Sequence, residues 1–115
     1  MPAIIRLPAT KSTNSYAIEL LSKDHPEEGC VIITDHQTEG KGTDTNTWES
    51  EKEKNLTFSL ILYPKLAADQ QFMLNRAISL GIYDFLVAEI PGHRISIKWP
   101  NDLYIEDKKC GGVIT

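Results

Sequence analysis

A short segment in the last fifth of the chain carries residue types that can handle an anionic ligand. Lys98 and Asp102 flank a Trp-Pro-Asn turn, and Lys109 follows a little further along. Proline fixes its own φ and restricts the residue before it, so this turn has a defined shape. Two lysines and a carboxylate around one turn suit an anionic or metal-bridged ligand. They also suit a purely structural turn with a buried tryptophan, and composition leaves both interpretations open.

Three short β-prone pieces and one helix must position this segment. Residues 95–98, 103–105 and 109–114 predict strands, and residues 106–108 suit a hairpin turn between the last two. The stretch from Asp69 to about Ala88 predicts a helix that is apolar around much of its circumference. Such a helix is expected to be packed on several sides.

The first half of the chain predicts a second set of alternating strands and helices. Residues 3–7 form a short apolar strand, and residues 12–14 cap a following helix. The β-branched run 30–34 is typical of a strand buried on both faces, and 56–63 alternates like a half-buried strand. Between them, residues 36–55 are polar and glycine-containing, and a loop of that length is usually functional or mobile.

Composition limits the classes of function. The 115 residues, 41% hydrophobic and 24% charged, fit one soluble domain with a modest core. A net charge of -4 argues against a broad phosphate-tracking surface. Cys30 and Cys110 have no zinc-ligand spacing, so we expect reduced thiols in a cytoplasmic protein. We expect no signal peptide, and the sequence contains no uninterrupted apolar run of the roughly 18 residues that a membrane span needs.

The order of motifs along the chain resembles that of biotin protein ligases. Lys98-Trp99-Pro100-Asn101-Asp102 and the later Lys109-Cys110-Gly111-Gly112-Val113 resemble the family's Lys-Trp-Pro-Asn-Asp and Lys-x-x-Gly-Ile signature. The other matching segments are Ser12-Thr13-Asn14, Gln37, Gly40-Lys41-Gly42, Trp48-Glu49-Ser50 and Asn55-Leu56-Thr57-Phe58-Ser59. The resemblance implies an α/β fold: a mixed, largely antiparallel sheet flanked by helices, like the catalytic domains of class II aminoacyl-tRNA synthetases.

The resemblance implies a two-step ligase reaction with ATP, Mg²⁺ and biotin. Biotin's carboxylate attacks the α-phosphate of ATP to give biotinyl-5'-AMP, and a lysine of a biotin carboxyl-carrier protein then takes the biotin. The carrier would be a domain of acetyl-CoA carboxylase or a related carboxylase. Lys109 matches the catalytic lysine that lies between the biotin carboxylate and the α-phosphate. Asp102 matches a second catalytic residue, which acts indirectly through Mg²⁺ or by positioning Lys109.

The remaining site residues also follow from the resemblance. The expected biotin contacts are Ser12, Thr13, Asn14, Gln37, Gly40, Lys41, Gly42, Lys109 and Gly112. The expected nucleotide contacts are Lys41, Thr43, Trp48, Lys98, Asn101 and Asp102. Short hydroxyl and amide side chains suit a ureido ring, which offers one carbonyl and two N–H groups, and the Ser-Thr-Asn segment fits helix capping equally well. Trp48 either covers the ligand or anchors its own loop. Lys98 either contacts phosphate or supports the residues that contact the ligand.

The glycine-rich loop departs from the family pattern. Many members carry Gly-Arg-Gly-Arg-Arg-Gly, whereas this chain has Gly-Lys-Gly-Thr-Asp-Thr over residues 40–45. Lysine lacks the bidentate fork of arginine, so we expect the hold on the adenylate to be weaker or differently distributed. We also expect the loop to be disordered without ligand and to order when the adenylate binds.

Two other assignments compete with that of a complete biotin protein ligase. A lipoate ligase or octanoyltransferase shares the fold but would be expected to carry an Arg-Arg-x-x-Gly-Gly-Gly segment. The chain stops at residues 112–115 inside a predicted strand, which suggests the amino-terminal part of a catalytic domain and hence a catalytically incomplete ligand-binding fragment. Ser12 lies too near Met1 to leave room for a helix-turn-helix, so neither a DNA-binding domain nor nucleic-acid binding is expected. No membrane partner is expected, and a homodimer remains open.

Overall fold

A computed structural model describes residues 2–41, 47–48, 54–99 and 101–115. The chain divides into two compact units, Met1–Pro64 and Lys65–Thr115. The first unit contains β1 (Ile4–Leu7), α1 (Thr13–Lys23), β2 (Val31–Thr34), β3 (Gly40–Lys41), β4 (Thr47–Trp48) and β5 (Thr57–Leu60). The second contains a 3₁₀ turn (Ala68–Gln70), α2 (Gln71–Glu89), β6 (Ile95–Lys98), β7 (Asp102–Ile105) and β8 (Lys108–Gly112).

In the first unit, α1 packs against a three-stranded mixed sheet. The strand order is β1-β2-β5, with β1 parallel and β5 antiparallel to β2. The helix begins where Ser12, in an extended conformation, accepts a hydrogen bond on Oγ from the Ser15 N–H at 3.3 Å. Ala17, Ile32 and Ile61 form the buried core between helix and sheet together with Cys30. The predicted strand, cap and helix are therefore confirmed.

The apolar side chains of β5 do not face this core. Phe58 and Leu60 are 47% exposed, whereas Thr57 and Ser59 lie on the side that α1 covers. In β2, Ile32 is fully buried while its neighbours Val31 and Ile33 are only half-buried, so the prediction of burial on both faces is wrong. One helix can cover only one face of a sheet, and here the covered face of β5 is the polar one.

The second unit is an antiparallel sheet, β6-β7-β8, with α2 packed against β6. Ile95 and Leu103 are buried on one face of this sheet. A tight turn joins β7 to β8, and Glu106 adopts a left-handed φ of 53° there. The three predicted strands and the hairpin are confirmed. Across both units the sheets are mixed and largely antiparallel, as the resemblance implied.

Helix α2 is less enclosed than its composition predicts. Its buried residues are Asn75 and Ser79, while Phe72, Met73 and Phe85 are each more than half exposed. The prediction of packing on several sides is therefore wrong, because the sheet of its own unit covers only one side of the helix. Among the residues that the structure describes, neither helix combines the length and apolar character that a membrane span needs.

Candidate functional site

Lys109 and Asp102 form an ion pair on the sheet of the second unit. The Lys109 Nζ lies 3.0 Å from Asp102 Oδ1, and the two side chains are 39% and 31% exposed. Lys98 lies directly opposite Asp102 on the neighbouring strand β6 and is exposed. The fold therefore brings together the two predicted catalytic residues, with the backbone of Lys98 alongside.

A β-bulge makes the pairing of Lys109 with Asp102 feasible. Gly112 lies opposite Asp102 in the register of β7 and β8, and Lys109 is three residues before it. In a regular strand, residues three apart point to opposite faces, so Lys109 would point away from Asp102. The register instead shifts by one residue after Leu103, and Lys109 lies opposite Tyr104. Because Tyr104 shares a face with Asp102, the bulge returns Lys109 to that face.

Asn101 fixes the end of this hairpin. Its Nδ2 donates to the Val113 carbonyl at 2.7 Å, and the Val113 N–H donates back to the Asn101 carbonyl at 2.9 Å. These two bonds extend the pairing of β7 and β8 beyond Gly112 and so hold Asp102 in register with the glycine. Asn101 was predicted as a nucleotide contact, and in this structure its amide nitrogen is engaged by the protein itself.

Trp99 lies at the surface, so the interpretation as a turn with a buried tryptophan is wrong. Its side chain is 46% exposed. The guanidinium carbon of Arg76 on α2 lies 5.7 Å from the centroid of the Trp99 ring and 5.5 Å from that of Phe72. Both distances suit cation–π contacts, which tie the signature turn to the helix. No sequence pattern singles out Arg76, because only the fold places it beside the turn.

In the first unit, the start of α1 lies beside the segment that carries Gln37. The Thr10 N–H donates to the His36 carbonyl and the Thr38 N–H donates to the Thr10 carbonyl, both at 3.0 Å. This parallel pairing places Ser12 and Thr13, each only 3% exposed, next to Gln37. The resemblance assigned all three to biotin, and the structure gathers them in one place.

Thr13 is the centre of a small polar network. Its N–H donates to Gln37 Oε1 at 2.9 Å, and its hydroxyl lies 3.4 Å from the same oxygen. The Thr13 hydroxyl also lies 2.8 Å from Ser59 Oγ on β5. Ser59 was not among the predicted site residues. Strand alternation places Thr57 and Ser59 on one side of β5 but carries no signal that α1 covers that side.

The other residues predicted for this unit are partly described. Asn14 lies exposed in the first turn of α1, and Gly40 is buried. The Gly40–Lys41 strand pairs with Thr47–Trp48, so the long polar segment contains a short antiparallel ladder. Gly42 and Thr43 lie outside the described residues, as does the prediction that the glycine-rich loop orders on ligand binding.

The described cysteines and acidic residues were compared with what a bound metal ion, such as the predicted Mg²⁺, needs from a protein. Cys30 is buried and Cys110 is exposed, and both are free thiols. Within the described ranges, no three His, Cys, Asp or Glu side chains gather in a way that could hold a metal ion. The sequence proposed Asp102 for Mg²⁺, and this residue offers a single carboxylate 3.0 Å from Lys109 Nζ.

Comparison with known proteins identifies the family. The model of the biotin/lipoate A/B protein ligase family matches residues 7–115, which is nearly the whole chain. The chain belongs to this family. The bifunctional ligase/repressor BirA of Bacillus subtilis (strain 168) is 33% identical over 104 residues, which cover 90% of this chain and 31% of the relative.

Solved structures of this ligase family share the fold. Biotin acetyl coenzyme A carboxylase synthetase from Helicobacter pylori, with bound biotinylated ATP, has a TM-score of 0.74 at 29% identity, covering 99% of this chain and 54% of that one. Biotin protein ligase from Aquifex aeolicus, in complex with biotin and ATP, has a TM-score of 0.66 at 32% identity, covering 95% and 44%. The class II aminoacyl-tRNA synthetase-like fold is thereby confirmed. The chain spans about half of these proteins and about a third of the curated relative.

Proposed function

We propose that this chain contributes the biotin and nucleotide contacts of an ATP-dependent biotin protein ligase. The observation that carries the proposal is the ion pair between Lys109 and Asp102, formed by the two residues that match the family's catalytic positions. The solved relatives with bound biotin, ATP or biotinylated ATP support this assignment of ligands. The reaction proceeds in two steps, adenylation of biotin and transfer to a lysine.

Lys109 offsets the charge repulsion that opposes adenylation. The attacking biotin carboxylate and the α-phosphate are both anions, and two unit charges about 4 Å apart repel by roughly 1 kcal/mol in water and by more in a drier site. A lysine between them attracts both and stabilises the charge that develops as the oxygen–phosphorus bond forms and pyrophosphate leaves. In the second step the carrier amine attacks the acyl carbon, and AMP leaves.

Asp102 holds Lys109 in place for this work. The 3.0 Å contact orients the Lys109 side chain, which is 39% exposed. A single carboxylate fits a Mg²⁺ ion that arrives with the nucleotide, because Mg²⁺ is commonly held by one or two carboxylates plus phosphate oxygens. When bound, the ion would neutralise phosphate charge, and Asp102 is the residue that would reach it or its waters. Lys98 and Asn101 extend the nucleotide contacts along the same hairpin.

The polar network around Thr13 suits the ureido ring of biotin. A ureido ring presents one carbonyl acceptor and two N–H donors, and the network offers the hydroxyls of buried Ser12 and Thr13 and the carboxamide of half-buried Gln37. Gly40 and Lys41 follow Gln37 and would approach the ligand from the loop side. Gly112 lies opposite Asp102 in the hairpin and is the remaining residue that we assign to the biotin contacts.

The wider partners follow from the same proposal. The acceptor is a biotin carboxyl-carrier domain of acetyl-CoA carboxylase or a related carboxylase, and the enzyme works in the cytoplasm. Lys41 is the one basic residue that remains in the loop segment 40–45, so retention of the adenylate depends less on loop arginines than in many relatives.

Biotin-dependent exchange of pyrophosphate into ATP tests the proposal. The assay is run with the 115-residue chain and with any longer natural polypeptide that contains it, in the presence of Mg²⁺. We expect exchange with biotin, its loss in Lys109→Ala and its retention in Lys108→Ala. Lys108 is the matched control because it lies opposite Ile105, on the other face of the hairpin.

The same assay separates the two alternatives. Exchange with lipoate or octanoate in place of biotin would assign the chain to the other branch of the family and refute the proposed substrate. Binding of biotin without exchange in the 115-residue chain, together with exchange in a longer polypeptide, would show that this part binds ligand and requires further residues for chemistry.

A further inference from the structure

Ser59 reaches into the predicted biotin pocket from a strand to which the resemblance assigns no ligand contact. Its hydroxyl lies 2.8 Å from the Thr13 hydroxyl, on the face of β5 that α1 covers. We propose that Ser59 is a positioning residue of the biotin pocket, which directs the Thr13 proton into the protein so that Thr13 presents a lone pair to a ureido N–H. This inference rests on the proposed function and adds a residue and a role to it.

The proton positions follow from the three distances. A threonine hydroxyl has one proton and two lone pairs, and the usual O–H···O distance is about 2.7 to 2.8 Å. If Thr13 donates to Ser59, both lone pairs of Thr13 stay available. If Ser59 donates to Thr13, the Thr13 proton turns to Gln37 Oε1 at 3.4 Å, and one lone pair stays available. In both arrangements the Thr13 proton points to an acceptor of the protein.

Removal of the Ser59 hydroxyl changes the direction in which the Thr13 hydroxyl proton points. Within the described part of the chain, Thr13 would then have only the long 3.4 Å contact to Gln37 as an acceptor for its proton. A contact of that length is weak, so the proton would turn towards the ligand for part of the time. A hydroxyl proton facing a ureido N–H is repulsive, and the affinity for biotin falls.

Gln37 supplies the complementary donor. A backbone N–H can only donate, so the Gln37 atom that meets the Thr13 N–H at 2.9 Å must be Oε1. The amide nitrogen Nε2 therefore lies on the other side of the carboxamide, where it can donate to a ligand carbonyl. An acceptor on Thr13 beside a donor on Gln37 matches one edge of a cyclic urea, which fatty acids such as octanoate lack.

The test compares Ser59→Ala with Thr57→Ala. Thr57 is the matched control because it lies two residues earlier on the same face of β5. Biotin affinity and the KM and kcat of biotin-dependent exchange are measured for both variants and for Ser59→Thr, which keeps the hydroxyl. We expect Ser59→Ala to raise the KM for biotin about 3- to 10-fold at unchanged kcat, the effect of one net hydrogen bond. Thr57→Ala and Ser59→Thr should both leave the KM for biotin at the wild-type value. The melting temperatures of the two alanine variants should agree.

A Thr13→Val background isolates the route through Thr13. Valine keeps the shape and removes the hydroxyl, so Ser59→Ala should then cause no further rise in KM. A wild-type protein that binds no biotin refutes the proposed function, and the role of Ser59 fails with it. A protein that binds biotin but tolerates Ser59→Ala within about twofold, or shows the same loss in the Thr13→Val background, keeps the proposed function and overturns the role of Ser59.

Discussion

Asp102→Asn tests how the predicted catalytic pair divides its work. Asparagine has nearly the shape of aspartate and tolerates the same turn, so the change removes the charge that holds Lys109 and little else. Lys109→Ala removes the cation itself. If Asp102 acts by positioning Lys109, the carboxylate has nothing to position once the lysine is gone, and the double variant should behave like Lys109→Ala alone.

The structure sets the expected magnitudes. The ion pair spans 3.0 Å with side chains 39% and 31% exposed, so solvent screening limits its worth in folding to at most about 1 kcal/mol. Loss of a group that stabilises transition-state charge typically lowers the rate by about 10² to 10³, or roughly 2.7 to 4 kcal/mol. We therefore expect Lys109→Ala to reduce exchange about 100- to 1000-fold at little cost in stability. Asp102→Asn, which removes the carboxylate charge 3.0 Å from Lys109 Nζ, should cost about 10- to 100-fold.

Four proteins complete the cycle: the wild type, the two single variants and the double variant. Their pyrophosphate-exchange rates are measured at saturating biotin and ATP, and their free energies of unfolding are measured in urea. A double variant slower than Lys109→Ala by the full Asp102→Asn factor would show that Asp102 acts independently of the lysine, for instance on Mg²⁺. A drop of more than about 2 kcal/mol in the unfolding free energy of Lys109→Ala would show that the lysine is structural.

Three further outcomes follow from the structure. Ile32→Ala should lower the free energy of unfolding by about 2 to 5 kcal/mol in a urea titration, because Ile32 is fully buried, and a change under 1 kcal/mol would contradict that core. Asn101→Ala removes the 2.7 Å hydrogen bond to the Val113 carbonyl and should lower the free energy of unfolding by about 1 kcal/mol in the same titration. An unchanged midpoint would mean that this bond does not contribute to stability. Partial burial raises the pKa of the Cys110 thiol, so less thiolate is present at neutral pH than on free cysteine. Alkylation of Cys110 by iodoacetamide should therefore be slower than that of N-acetylcysteine and should speed up at higher pH, with Cys30 protected by burial, and equal rates at neutral pH would contradict this.

Local chemistry made several elements predictable. Ser12 caps α1 because a short hydroxyl side chain can satisfy a free N–H at a helix start. The Glu106-Asp107 turn follows from the need for a tight reversal between two β-prone pieces. These features depend on residues that are close together in the chain, so periodicity and turn residues suffice to find them.

The side on which each element is covered was not predictable. Alternation in β5 separates Phe58 and Leu60 from Thr57 and Ser59, but it does not say which group α1 covers. An apolar face is the natural guess for the interior, and here the covered face is polar. The difference arises because Ser59 meets the Thr13 hydroxyl across the layer, a contact between residues 46 positions apart in the chain.

The contact between Lys109 and Asp102 was likewise not predictable from strand alternation. The sequence suggested that Lys109 and Asp102 act together, yet regular strand geometry places Gly112, not Lys109, on the Asp102 face. Only the extra residue at Cys110, accommodated as a bulge, reverses the parity and brings the lysine opposite Tyr104. The sequence motif gives the spacing between Lys109 and Gly112. It does not reveal the β-bulge that places Lys109 on the Asp102 face despite this odd spacing. The structure supplies the reason for the spacing: an odd interval between two residues that must share a face requires one irregular step in the strand.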